Sequence, residues 1–238
     1  MAQADIKALY EAGAHFGHKT SRWHPKMAGY IHSKRGDSHV INLEKTVAAF
    51  DEVLPLVTKT VASGKKVLFV GTKKQAKAAV QAAAESCDQP YVVNRWIGGM
   101  LTNVDTITRQ IRKLRDLEKR MAAGDLEKRY NKLEVQRFQE EIELLNLKYG
   151  GIKDLSGKPG MVIVLDTLVD VNAVREAKNL GIPVVGVVDT NANPDSIDYV
   201  IPANDDALKA IQAYLDLFVA AVQEGLGASK KADEKKEK

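Results

Sequence analysis

From Val67 onward the apolar residues fall into short unbroken blocks separated by polar helical stretches. "KVLFVGT", "PYVVN", "GMVIVLDT", "IPVVGVVDT" and "YVIP" each lack polar alternation, the mark of strands buried on both faces of a parallel sheet. Between them lie "KKQAKAAVQAAAESC", a strong helix former, and "DVNAVREAKNLG", whose glycine stands where a helix C-cap belongs. "DDALKAIQAYLDLFVAAVQEG" closes the series with acids at its N-terminus, where the helix dipole favours them. Strand and helix in this alternation predict right-handed βαβ units and an α/β, Rossmann-like (flavodoxin-like) doubly wound parallel sheet. Upstream, "SHVIN" is a short strand, Asp5–Ala14 a helix, and Leu43–Ala62 a longer helix with a kink or break at Pro55.

Residues 105–149 break the alternation. Ile107, Ile111, Leu114 and Met121 fall on one helical face, and Val135, Phe138, Ile142, Leu145 and Tyr149 recur at three- and four-residue steps. Gly124 lies between the two arms, and most other positions are charged or polar. The pattern predicts an inserted antiparallel coiled-coil helical hairpin. Arms of ~17–20 residues reach about 25–30 Å at the helical rise, and such a lever contributes little to the sheet's core. The expected organisation is a discontinuous α/β domain over 1–104 and 150–228, the hairpin over 105–149, and a disordered lysine-rich tail over 229–238.

Charge changes the picture more than composition does. The whole chain carries +4, but residues 1–104 hold 14 basic against 8 acidic groups, and 150–228 hold 5 against 11. One end is suited to anions and the other is not. A single cysteine, Cys87, excludes an internal disulfide framework and fits a reducing compartment. The N-terminus lacks the apolar core of a signal peptide, and no apolar run approaches the ~20 residues of a membrane helix. These features point to a soluble cytoplasmic protein with no membrane association.

Ligands of doubly wound sheets bind beyond the carboxyl ends of the strands. Here those ends read "GTKK", "NRWIGG", "DTLVD" and "DTNANPD". "VGTKKQAK" has one glycine where a dinucleotide site needs three, and it lacks the Gly-Lys-Ser/Thr half of a P-loop. Lys73 and Lys74 on a first helical turn form either an anion site or two solvated side chains. Six lysines and no acid lie between Val53 and Ala84. Ala12 to Gly36 is also free of acids and carries Lys19, Arg22, Lys26, Lys34 and Arg35 among Trp23, Tyr30 and four histidines. Cations interleaved with planar rings suit RNA, whose phosphates they neutralise and whose bases stack on the rings. In "NRWIGGMLTN", Arg95 and Trp96 contact RNA, or Trp96 is buried beneath the hairpin base with Arg95 paired to an acid.

His15 and His18 have a metal-like spacing, but no second cysteine or nearby acid completes a tetrahedral set, so no metal site is expected. Asp166, Asp170, Asp189 and Asp195 sit where carboxylates cap, and no catalytic motif is present. The alternative to an RNA binder is a nucleotide-dependent enzyme using the sheet's carboxyl edge.

"GAHFGHKTSRWHPKMAGYIHSKR", "VLFVGTKKQA", "NRWIGGMLTN" and "DTNANPDSIDYVIPANDDA" together resemble the bacterial small-subunit ribosomal protein S-two family, in order from about Ile6 to Gly225. The resemblance implies a Rossmann-like sheet with a protruding coiled coil at the head–body junction of the small ribosomal subunit. It implies a structural and assembly role, contact with small-subunit ribosomal RNA and with other small-subunit proteins, and docking of the large OB-domain ribosomal protein that captures messenger RNA. Catalysis, a cofactor and a small-molecule substrate are not expected. Both readings together place on RNA His18, Lys19, Arg22, Trp23, Lys26, Lys34, Arg35, Lys73, Lys74, Arg95, Trp96, Gly98, Gly99, Thr102, Asn103 and Arg109. Gly98 and Gly99 would let the backbone turn sharply or approach a phosphate.

Overall fold

The apolar blocks become the strands of a five-stranded parallel sheet. In chain order these are β4 (Val67–Val70), β5 (Tyr91–Val92), β6 (Met161–Val164), β7 (Val184–Val188) and β8 (Tyr199–Pro202). They lie side by side as β5-β4-β6-β7-β8, which is 2-1-3-4-5 in order of appearance, the flavodoxin-like arrangement. The computed structural model describes residues 3–236, with side chains through 229.

Unbroken apolar strands follow from burial on both faces. Val67 and Phe69 of β4, with Ile163 and Val185, join one cluster, and Leu68 and Val70, with Val162 and Val184, join the other. The first cluster is covered by α1 (Ile6–Glu11), α2 (Leu43–Ala62), α3 (Lys77–Ser86) and α8 (Leu208–Lys236). Phe50 of α2 meets Tyr214 and Phe218 of α8 with ring centroids 5.8 and 5.7 Å apart. Pro55 stands inside α2, which runs as one continuous element rather than two. α8 extends past Ser229, where the sequence predicts a disordered tail; Glu237 and Lys238 of that tail lie outside the described residues.

The second cluster is covered by α7 (Val171–Asn179) and by the insertion. The insertion holds α4 (Val104–Ala122), a short α5 (Asp125–Arg129) and α6 (Lys132–Tyr149). Gly124 takes a left-handed φ of 65° and starts α5, and a capping box of Asn131 and Glu134 starts α6. The spacing predicts two arms about one glycine; a third helix stands between them, and Leu126 of α5 is fully buried. The expectation that the insertion adds little to the core is also corrected. Leu114, Leu117, Leu145 and Tyr149 are buried in one continuous cluster with Trp96, Met100 and the sheet.

The acid-free N-terminal window also has structure of its own. β1 (Phe16–Lys19), β2 (Ile31–Arg35) and β3 (Ser38–Ile41) form an antiparallel sheet in the order β1-β3-β2. It is tied to the carboxyl ends of the large sheet. The His18 amide donates to Thr190 Oγ1 at 2.9 Å, the His24 amide to the Thr190 carbonyl at 2.7 Å, and the Asn204 amide to the Ala14 carbonyl at 3.0 Å. Gly17 makes this approach possible, because a Cβ there would lie 2.7 Å from Thr190 Cγ2 and 3.2 Å from the His39 carbonyl.

Candidate nucleic-acid interface

In a 2-1-3-4-5 sheet the ligand crevice opens between the first and third strands, here at the carboxyl ends of β4 and β6. This protein fills it with its own charges. Thr72, just past β4, donates through Oγ1 and its amide to Asp170 at 2.7 and 3.0 Å. Lys73 Nζ lies 3.1 Å from Asp166, 2.7 Å from Asp205 and 2.7 Å from Asp206. His18 continues the network, with Nδ1 3.1 Å from Asp189 and Nε2 3.3 Å from Asp206. Two cations face four carboxylates, so the cluster is short of positive charge.

The proton affinities follow from that imbalance. Burial, reinforced by the Asp166 and Asp189 carboxylates, pushes Asp205 up to about 7 despite its contact with Lys73. Burial works against the charge of Lys73, but hydrogen bonds to Asp205 and Asp206 outweigh it and hold the ammonium above its usual value. The Asp189 hydrogen bond raises His18 against the effect of its own burial. Lys73 is therefore committed as a cation, and Asp205 is pushed toward its neutral form.

His18, Asp189 and Asp205 bring donor atoms within 4.8 Å of one another, a set that a divalent cation could use. Sequence reasoning found no acid to complete a histidine site because Asp189 and Asp205 are distant in the chain. His15 takes no part; it is buried and stacks on Tyr10 at 4.3 Å. The same carboxylates are already met by His18 and Lys73.

A second anchor holds the loop after β5. Glu176 of α7 accepts from Trp96 Nε1 at 3.0 Å, the Gly99 amide at 2.8 Å, the Leu101 amide at 3.0 Å, and the Thr102 amide and hydroxyl at 3.3 Å each. Its burial would raise the carboxyl, but Trp96 and the backbone donors overcome this and hold it below the usual range. Nothing in the local sequence of α7 marks Glu176 for this role.

The sequence-selected residues therefore divide. Lys73, Trp96, Gly99 and Thr102 make internal contacts, and Lys73 and Trp96 have little exposed surface. Gly99 takes a φ of +87°, so it serves the sharp turn, whereas Gly98 is exposed with open space where a Cβ would project. Lys19, Arg22, Lys34, Arg35, Lys74, Arg95, Asn103 and Arg109 are exposed. Trp23 is 39% exposed and leans on His39, with centroids 5.3 Å apart. Lys26 pairs with Asp195, and Arg109 donates to Thr106 at 3.1 Å. Trp96 is buried, as the second reading of its loop has it, but Arg95 is exposed and has no acid partner among the described residues.

Lys19 and Lys74 are linked through the crevice network. Lys19 adjoins His18, His18 reaches Asp206, and Asp206 reaches Lys73 beside Lys74. Topology brings Arg95 to the same edge, since its loop leaves the carboxyl end of β5. These features define an α/β scaffold of flavodoxin-like order whose crevice is closed by its own side chains, leaving a basic rim in place of a nucleotide pocket. No helix among the described residues is long and apolar enough to cross a membrane.

A sequence model of the ribosomal protein S2 family matches residues 9–225. The chain is 48% identical to the small ribosomal subunit protein uS2 of Mannheimia succiniciproducens over 235 residues, 99% of this chain and 97% of that protein. It is 47% identical over 233 residues to the uS2 protein of Actinobacillus pleuropneumoniae serotype 5b, covering 98% of both. To that of Pasteurella multocida it is 48% identical over 225 residues, 94% of this chain and 93% of the relative. The chain belongs to the ribosomal protein S2 family, and is thus a structural ribosomal protein rather than an enzyme.

Proposed function

We propose that this chain is a structural constituent of the small ribosomal subunit, bound to small-subunit ribosomal RNA at the head–body junction through the carboxyl edge of its parallel sheet. The observation that carries the reading is the exposed basic rim around a crevice filled by the chain's own side chains. Lys19, Arg22, Lys34 and Arg35 stand on the antiparallel sheet and its connections, and Lys74 and Arg95 on the strand-end loops. Lys73 and Glu176 act as positioning residues. Lys73 binds the acids that would otherwise repel RNA, and Glu176 fixes the loop that presents Arg95. In this reading α4 and α6 form the antiparallel coiled-coil arm.

The protein-facing side lies next to this rim. Phe16 and Tyr10 are 50% and 57% exposed and flank His15 in a ring stack; Leu208 is 63% exposed. Asp206 beside them is half exposed. An aromatic platform with an acid suits the OB-domain ribosomal protein that captures messenger RNA.

Binding to small-subunit RNA across a salt series tests the RNA reading. Replacing Arg22, Lys34 and Arg35 together by alanine should flatten the log–log slope by roughly 0.7–0.9 for each phosphate left without its cation. An unchanged slope removes those side chains from the interface.

A further inference from the structure

The free edge of β5 carries a group of unused hydrogen-bonding atoms. At Tyr91 this edge is covered by the turn at Gly150–Ile152; Gly151 packs so closely that a Cβ would lie 2.3 Å from the Tyr91 carbonyl. Past Tyr91 the edge faces the end of α6, with a cleft between them. None of the backbone N–H groups from Val93 to Gly98 donates a hydrogen bond among the described residues. Of these, the amides of Val93, Asn94 and Arg95 belong to residues that line a cleft, where an outside acceptor can meet them.

A cavity of about 210 Å³ opens at this edge, lined by Gln81, Val93, Asn94, Arg95, Asn146 and Lys148. It is smaller than the roughly 300–1,000 Å³ of sites for drug-sized ligands, so it suits a single base. Asn94 donates from Nδ2 to the Leu147 carbonyl at 2.8 Å, and Asn146 from Nδ2 to Glu118 at 2.8 Å. Both amides are thereby oriented, and their side-chain oxygens accept nothing among the described residues. Arg95 and Lys148 have no ion-pair partner among those residues. Acceptors, backbone donors and two unpaired cations are the groups that receive a splayed-out base together with its phosphate.

We infer that the cleft between the free edge of β5 and the end of α6 receives one unstacked nucleotide of RNA. Its base lies against Asn94, Asn146 and the Val93 backbone, and its phosphate lies between Arg95 and Lys148. The inference rests on the RNA-binding reading above and adds to it a pocket and the side chains of Asn94, Asn146 and Lys148. The small volume and cationic rim favour a nucleotide over a peptide strand added to the β5 edge.

The test adds the chain back to small subunits prepared without it and measures both affinity and the chemical reactivity of each ribosomal RNA base. Gln81→Trp fills the cleft from a half-buried surface position on α3 and leaves the Glu176 anchor intact. Wild-type protein should protect or distort at least one unpaired base. Gln81→Trp should restore that base's reactivity and weaken binding about 5–150-fold, the range for losing one docked base. Lys148→Ala should lower the salt slope by about 0.7–0.9. Wild-type affinity together with an unchanged reactivity pattern in Gln81→Trp overturns the cleft, including the case in which a peptide occupies the edge. Failure of the wild-type chain to alter any RNA base overturns the RNA-binding reading itself.

Discussion

Replacing Glu176 tests whether one carboxylate organises the loop after β5. Glu176→Ala leaves five donors without an acceptor, but they do not count equally. Trp96 and Leu101 are 7% and 4% exposed, so their N–H groups cannot turn to water, whereas Thr102 is exposed and can. An unpaired buried donor costs ~1–3 kcal/mol, so the two buried donors set the loss at roughly 2–6 kcal/mol. For a chain of this size, each kcal/mol shifts the melting temperature by about 2–4 °C. Glu176→Gln keeps one oxygen and one pair of donors and should lose about half as much. The pH dependence has a defined sign. The folded carboxyl is held below its usual range, so its contribution is present above about pH 4.5 and is lost as pH falls through the lowered value. Calorimetry or guanidinium titration of the three proteins at pH 7, repeated at lower pH, reads all of this. Equal melting temperatures for Glu176→Ala and wild type at pH 7, or a gap that widens on acidification, would refute the reasoning.

Lys73→Met should destabilise the protein by about 3–5 kcal/mol, as expected for stripping a buried charge cluster of its cation. Without Lys73, Asp205 rises further above its unfolded value, so the deficit should be smaller at pH 6 than at pH 8; denaturant titrations at the two pH values check this, and a pH-independent deficit counts against the network. His18 is raised, so its stabilisation is fully present below about pH 6.5 and fades above the raised value; the gap between wild type and His18→Ala should shrink between pH 6 and pH 9 in the same titrations. Gly17→Ala forces a Cβ to within 2.7 Å of Thr190 Cγ2 and should cost ~1–3 kcal/mol by thermal melting, while Gly98→Ala, with open space at its Cβ, should change stability by less than about 1 kcal/mol.

The parallel strands are legible in the sequence because burial on two faces leaves an unmistakable unbroken apolar run, as at Val67–Val70 and Val184–Val188. Of the antiparallel sheet, β3 is legible as the strand in "SHVIN", but β1 and β2 in the acid-free window are not. β2 is mostly exposed along its length, so it carries no inward–outward alternation to read. α4 and α6 are visible from their spacing, but Leu117 packs into the sheet-side cluster and Leu126 sits on α5, an element the spacing does not predict. At the site, position along the chain places Lys73 correctly at a strand end but cannot show its ligands. Asp166, Asp205 and Asp206 are roughly 90 to 130 residues away and meet it only once the strand ends assemble around the crevice. Glu176 is invisible for the same reason, since its donors lie more than 70 residues upstream. Long-range charge pairing decides which expected RNA contacts face outward, and a linear reading does not contain it.

The central claim is that the carboxyl edge of the parallel sheet, not its amino edge, faces RNA. Photo-cross-linking from single reactive residues placed at Arg22, Arg95 and Lys59, in small subunits assembled with this chain, tests it most directly. The account predicts RNA cross-links from positions 22 and 95 and none from position 59 on α2; RNA cross-links from 59 with none from 22 or 95 would contradict it.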